Sequence, residues 1–228
     1  MAAIDGTLDS ETNNTTAGQE VFAYVPSPLY SGPNSTPNVD GLAALGNPSY
    51  VTAHRNYVNA TPYVQDIDFG NTYGASGTDW RSLLIGGLGK GGKSYYAIDV
   101  TDPSQFSTET KAKAKVLWEF TDSTMGYTYG DALLVKTIKY GWVAVMGSGY
   151  NNADGKGYLY IVNPKTGALL QRVTTGVGST SSDAGLAHPT AYILDRTDGF
   201  ADAVYAGDLL GNVWRLDLTE PTGSYPNP

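Results

Sequence analysis

Ala203-Val204-Tyr205-Ala206-Gly207-Asp208, then Leu209-Leu210-Gly211-Asn212, then Val213-Trp214-Arg215-Leu216-Asp217-Leu218 reads as two short β-type runs joined by a glycine/asparagine turn. The same pattern occurs twice upstream. Ser82-Leu83-Leu84-Ile85-Gly86-Gly87 precedes a glycine loop and Ser94-Tyr95-Tyr96-Ala97-Ile98-Asp99-Val100. Val143-Ala144-Val145-Met146-Gly147-Ser148-Gly149 precedes an Asn/Asp/Gly loop and Gly157-Tyr158-Leu159-Tyr160-Ile161-Val162-Asn163. Self-similarity at intervals of roughly 50 to 60 residues is the signature of propeller blades with insertions, where each small sheet buries a face only against its neighbours. Function in such a protein is sought in the loops and insertions.

Working outward, the repeat sections fall at about residues 1–30, 62–121, 130–175 and 188–218. Gln19-Glu20-Val21-Phe22-Ala23-Tyr24-Val25 alternates up to Pro26 and reads as the last strands of a blade. Residues 27–61 are rich in Ser, Pro, Asn and Gly and form a surface insert with one short helical possibility at Val39 to Leu45. Ser104 to Lys115 is polar enough for a short exposed helix, and Thr219 to Pro228 reads as a linker or cut end. Alternation in each strand predicts one face buried against the next blade. The expected fold is therefore all-β: one partial β-propeller over residues 1–228, with three complete blades, part of another and polar insertions. Propellers normally close with four or more blades, and three complete blades with part of another do not obviously close into a ring.

Composition agrees. With 28 glycines, 12 prolines and 17 tyrosines in 228 residues, and 16% charged residues, turn formers and aromatic strand formers dominate. The net charge is -8, from 22 acidic against 14 basic residues, and no basic cluster interrupts it; nucleic acid would be repelled, whereas a cation is a matched partner. No apolar stretch reaches the roughly 18 residues of a membrane span, and Met1-Ala2-Ala3-Ile4-Asp5-Gly6 lacks the pattern of an export signal. The absence of cysteine excludes disulfides and thiolate sites.

Gly87-Leu88-Gly89-Lys90-Gly91-Gly92-Lys93-Ser94 satisfies G-x-x-x-x-G-K-[ST], and its glycines also satisfy G-x-G-x-x-G. Both phosphate-binding motifs need a helix that starts at the loop. Here a β-rich run follows and Asp102-Pro103 stops it, so the expectation is a hairpin loop. Asp195-Arg196-Thr197-Asp198-Gly199-Phe200-Ala201-Asp202 places carboxylates around a glycine turn as calcium loops do, with Asp195, Asp198 and Asp202 as candidate ligands. Arg196 falls where an oxygen donor is expected, and a solvated β-turn is the alternative. Asn151-Asn152-Ala153-Asp154-Gly155 is a weaker candidate that turn chemistry alone explains. His54 and His188 are far apart in sequence and suggest no catalytic arrangement. Trp80, Trp118, Trp142 and Trp214 recur along the sections and read as inter-blade packing before a sugar platform. Sequons at Asn13, Asn14, Asn34 and Asn59 lie in polar inserts.

Several of these segments together resemble one family. Met125-Gly126-Tyr127-Thr128-Tyr129-Gly130, Trp142 to Asn151, Gly157 to Ile161 and Val204 to Asp217 are similar to the C-terminal propeller of PilC/PilY-type proteins, associated with the tips of bacterial type IV pili. Asp5-Gly6-Thr7-Leu8, Glu20 to Ser27 and Leu84 to Gly92 resemble that family as well. The resemblance implies a modified, quinoprotein-like propeller in a non-enzymatic adhesin and biogenesis factor, placed at the pilus tip or bacterial outer surface. It implies pilus components such as minor pilins, or a host or abiotic surface, as partners. It also implies a regulatory calcium ion, linked to the balance of pilus extension and retraction, in the loop matching Asp195 to Asp202. The rival reading is a quinone-cofactor dehydrogenase, which shares the propeller repeat but needs a closed ring with a central pocket, and often an adjacent cysteine pair.

Overall fold

A computed structural model describes residues 2–4 and 18–228. Asp5 to Leu8 and the sequons at Asn13 and Asn14 lie outside the described residues. Thirteen strands are described, in four sheets. β1 (Ala2–Ile4) pairs with β2 (Glu20–Ala23). β3 (Tyr63–Asp68), β4 (Trp80–Gly87), β5 (Tyr95–Asp99) and β6 (Val116–Phe120) form one four-stranded meander. β7 (Leu133–Thr137), β8 (Gly141–Gly147), β9 (Lys156–Val162) and β10 (Leu169–Gly178) form the next. β11 (Pro189–Tyr192), β12 (Ala203–Gly207) and β13 (Val213–Asp217) form a third sheet of three strands. All strand pairings are antiparallel; the two four-stranded meanders are complete blade units, while the third sheet with three strands and the first with two are partial ones, where the sequence predicts three complete blades.

Burial departs from the expected single covered face. In β8, Ala144 and Met146 pack toward the first meander, while Val143 and Val145 pack toward the third sheet, and all four are fully buried. In β9, Tyr160 and Ile161 divide the same way. A central strand in a stack of sheets is covered on both sides, so its apolar run is continuous instead of alternating. The third sheet is covered on one face by the residues described. Gly87, Gly147 and Gly207 occupy equivalent places, opposite Tyr95, Leu159 and Val213 respectively. Tyr95 and Leu159 are buried, but Val213 is 76% exposed.

The irregular segments that link one meander to the next are structural parts. The connector between β6 and β7 runs past both sheets: Gly126 N–H donates to the Ser148 carbonyl at 2.7 Å, Tyr127 N–H to Tyr150 O at 2.7 Å, and Gly89 N–H to Thr128 O at 3.1 Å. The connector between β10 and β11 repeats the arrangement, with Gly149 N–H on Leu186 O at 2.7 Å and Leu209 N–H on Ala184 O at 2.7 Å. Both connectors press on glycines. A Cβ on Gly87 would lie 2.6 Å from Thr128 O, and one on Gly147 would lie 2.5 Å from Leu186 O.

Residues 27–61 contain a short helix, Pro28–Ser31, and 3-10 turns at Leu42–Gly46 and Pro48–Val51. The polar stretch expected to be helical splits into a 3-10 turn, Pro103–Phe106, and the helix Glu109–Lys115, which Thr108 caps through its side chain. The residues after β13 pack rather than trail. Tyr225 is 3% exposed, its ring sits 5.6 Å from that of Tyr140, and Gln171 brackets its backbone with bonds of 2.8 and 3.0 Å. No helix among the described residues is long and apolar enough to cross a membrane.

Candidate functional site

The phosphate-loop motif sits in a β-hairpin. Gly86 and Gly87 pair antiparallel with Tyr96 and Tyr95, and the intervening residues make one 3-10 turn, Gly89–Gly91. No helix starts there to aim amides at a phosphate. Its two lysines instead face outward clefts, described below.

In the Asp195 to Asp202 loop each carboxylate is engaged separately. Asp195 Oδ1 accepts the Thr197 amide (2.8 Å) and hydroxyl (2.6 Å), Asp198 Oδ1 accepts the Phe200 amide (2.9 Å), and Asp202 Oδ2 accepts the Leu194 amide (2.7 Å). The Asp195 pattern recurs: Asp99 with Thr101, Asp122 with Thr124 and Asp217 with Thr219 make the same Asp-x-Thr turn. Hydrogen bonds from Thr197 hold the Asp195 carboxyl below the usual carboxylate range. No cluster of three or more His, Cys, Asp or Glu positioned for a metal ion exists among the described residues, so the three carboxylates do not converge in the loop as folded.

The Asn151 to Gly155 loop is likewise built from turn bonds. Buried Asn152 donates to Thr124 O and Lys156 O and accepts from Gly155 N–H. The His54 ring lies tilted 5.7 Å from that of Tyr50, and His188 is exposed at the entrance to β11. Among the tryptophans, Trp118 is buried and donates to Pro164 O at 2.8 Å, bridging the two meanders. Trp80 and Trp142 meet edge to face at 6.3 Å, and Trp214 donates to Asp208 Oδ2 at 2.8 Å. Asp208 also accepts both the Leu210 and Asn212 amides, so the Gly-Asp…Asn-x-Trp segment is a turn organised around one carboxylate.

What the structure does assemble is a groove that sequence reading missed. Residues 27–61 lie beside the hairpin and connector loops and are fastened there. Asn59 Oδ1 accepts the Lys90 amide at 2.7 Å, and the backbones of Gly91 and Tyr57 touch so closely that a Cβ on Gly91 would overlap Tyr57 O. At the other end Glu119 binds the Tyr24 hydroxyl and the Ser27 amide and hydroxyl. Two adjoining clefts of about 520 and 360 Å³ share Pro33 as part of their walls. The larger is lined by Arg55, Lys90, Tyr127, Tyr129 and Tyr150; the smaller includes Lys93. Tyr129 and Tyr150 rings are 5.0 Å apart, and Lys93 Nζ lies 5.3 Å from the Tyr127 ring centre and 3.3 Å from Asn151 O.

Unpaired cations and backbone strain coincide at this groove. Arg81, Lys115, Arg172 and Arg215 form the ion pairs seen among the described residues, and Arg55, Lys90 and Lys93 are among the ten cations that form none. Two of the nearby acids, Asp40 and Asp122, are already satisfied, whereas Asp183, which accepts the Asn151 amide at 2.8 Å, keeps its other oxygen buried without a partner among the described residues. Burial opposes ionisation of Asp40, but hydrogen bonds from Thr36 and Asn34 outweigh it and hold its pKa low; Thr124 and Arg172 do the same for Asp122. Ser35 (φ 57°) and Asn151 (φ 55°) are the two non-glycine residues with positive φ among those described, and each lines one of the clefts. Held strain of this kind is concentrated at binding and catalytic sites.

The family model described as PilY1 beta-propeller domain matches residues 1–228. The chain belongs to the PilY1 β-propeller family. It is 35% identical, over 96% of its length, to a type IV pilus biogenesis factor PilY1 homolog of Xylella fastidiosa, and 34% identical, over 90%, to the PilY1 biogenesis factor of Pseudomonas aeruginosa. The chain spans 14% and 16% of those two proteins. The crystal structure of the P. aeruginosa PilY1 C-terminal domain superposes with a TM-score of 0.63 at 31% identity, covering 88% of this chain and 35% of that one. The PilY1-like segments play distinct parts here: Met125 to Gly130 is the first connector, Trp142 to Asn151 is β8 with its strained exit, and Val204 to Asp217 is the Asp208-centred hairpin.

Proposed function

We propose that this chain is a non-enzymatic binding module of a type IV pilus-associated adhesin and biogenesis factor, acting at the pilus tip or bacterial outer surface. Its partner is a pilus component, such as a minor pilin, or a host or abiotic surface. Family membership supports the pilus context. The observation that carries the binding role is the groove, where three cations without ion-pair partners and three tyrosines converge on loops held by a rigid sheet stack. Binding residues borne on loops over a fixed scaffold are the usual arrangement for recognition.

Co-sedimentation of the purified chain with type IV pili, and its retention on a cell or abiotic surface, test this reading. Replacing Arg55, Lys90 and Lys93 together by glutamine should cut retention by about tenfold or more, since each contact to an anionic partner contributes on the order of 1 kcal/mol. Undiminished retention by a normally folded triple variant would contradict the groove's role. Calcium modulation through Asp195, Asp198 and Asp202 is a separable part of the proposal, because an ion there has to displace the turn bonds of the folded loop. On that part, millimolar calcium raises the melting temperature and Asp198→Ala abolishes the rise. Identical melting curves with and without calcium would remove the ion and leave the remainder standing.

A further inference from the structure

We infer that the groove recognises an acidic saccharide, its carboxylates held by Arg55, Lys90 and Lys93 and its rings laid against Tyr129 and Tyr150; this rests on the groove being the binding part of the module. Charge sets the sign of the ligand. The chain carries a net charge of -8, yet the groove presents three cations outside every ion pair, while its acids Asp40 and Asp122 are occupied by Asn34, Thr36, Thr124 and Arg172. Against a net charge of -8, an anion that binds here is held by these local contacts, which decide both place and selectivity. The planar fork of Arg55 suits a carboxylate, which it can bind through two parallel hydrogen bonds.

Lining chemistry separates a sugar from a peptide. An extended peptide gains affinity mainly by adding a strand to an open sheet edge. None of the residues around the larger cleft belongs to a named strand, and the backbones of Tyr127 and Tyr150 are already bridged to each other. In the larger cleft, aliphatic side chains that would seat a peptide's apolar residues are limited to Pro33 and Val39, and the smaller cleft adds Pro28, Met125 and Ala153. The hydroxyls of Tyr127, Tyr129 and Tyr150 have no hydrogen-bond partner among the described residues, and these rings are only half-buried. Rings with an apolar face and a polar tip, beside the amides of Asn56 and Asn151, match a ligand whose rings are flat, weakly apolar and ringed with hydroxyls. Two clefts in series provide length for more than one sugar unit.

Calorimetric titration of the whole chain with an oligoglucuronate tetrasaccharide tests this, beside the glucose tetrasaccharide of the same linkage and a hexaglutamate peptide. Oligoglucuronate should bind at least about tenfold more tightly than the neutral sugar, a difference of about 1.4 kcal/mol, and should weaken as salt is raised. Arg55→Gln at unchanged melting temperature, and Tyr129→Ala at a loss of no more than a few degrees, should each reduce that affinity about fivefold or more; Arg55 is exposed and Tyr129 half-buried, so both variants are expected to fold. Equal binding of the neutral sugar, tighter binding of hexaglutamate, or no binding of oligoglucuronate would overturn the assignment. If saccharide binding is absent while pilus or surface retention still depends on the three cations, the saccharide assignment falls and the groove keeps its role. Loss of both dependences removes the groove itself.

Discussion

Gly149→Ala should lower the melting temperature by roughly 6–12 °C, corresponding to about 3 kcal/mol in a domain of this size. Gly149 has φ 66°, a conformation that costs an alanine about 1 kcal/mol on its own. Its Cβ would also meet the Tyr127 carbonyl oxygen at 1.9 Å, while its own N–H is held by Leu186 O. Tyr127 belongs to the first connector and Leu186 to the second, so neither side can yield without opening a junction between sheets; forced overpacking of this kind costs about 1–3 kcal/mol more. The matching control is Gly211→Ala. Gly211 has φ 87° with nothing within 4 Å of its would-be Cβ, so only the conformational cost of about 1 kcal/mol applies. Thermal melts of both variants check the difference, and equal shifts would mean that the connectors do not clamp the sheets.

Trp118→Ala should destabilise the chain by about 3–5 kcal/mol, the range for truncating a large buried aromatic. Trp118 is 7% exposed, packs in the cluster shared by the two meanders, and donates its indole N–H to Pro164 O beyond β9. Removing it deletes apolar area, leaves that carbonyl unsatisfied and exposes the contact that Gly167 makes with the ring. Trp80→Ala is the comparison, since Trp80 is 57% exposed and contributes mainly an edge-to-face contact with Trp142, for a cost of about 1 kcal/mol. Urea unfolding of the two variants should therefore give clearly separated midpoints.

Much of the scaffold could be read from residue types. Leu83 to Gly87, Val143 to Gly147 and Ala203 to Gly207 announce strands because β-branched and aromatic residues run into glycine, and Asp208, Asn212 and Gly211 announce a turn. Two-sided burial was not legible, because a strand covered on both faces loses the alternation that tells inside from outside. The groove was hidden for a different reason. Its parts come from residues as distant as Pro33, Arg55, Lys90, Tyr129 and Asn151, and no local pattern in the sequence records that they meet. Met125 to Gly130 stood out by family resemblance, but only the structure shows that these residues are a connector with two tyrosines turned to a cleft. The acidic loop reads two ways from sequence, as a calcium loop or as a solvated turn, and the spacing of Asp195 to Thr197 makes the turn also seen at Asp99, Asp122 and Asp217.

Hydrogen–deuterium exchange of the chain, alone and bound to type IV pili or to a captured surface, tests the central claim most directly. Amides that become sequestered exchange more slowly, which locates the contact on the sequence. Protection is expected at residues 28–40, 54–59, 88–93, 121–129 and 150–153, the five segments that build the groove. Protection confined to the uncovered face of the third sheet, around Val213 and Leu209, with the groove segments unchanged, would contradict the account.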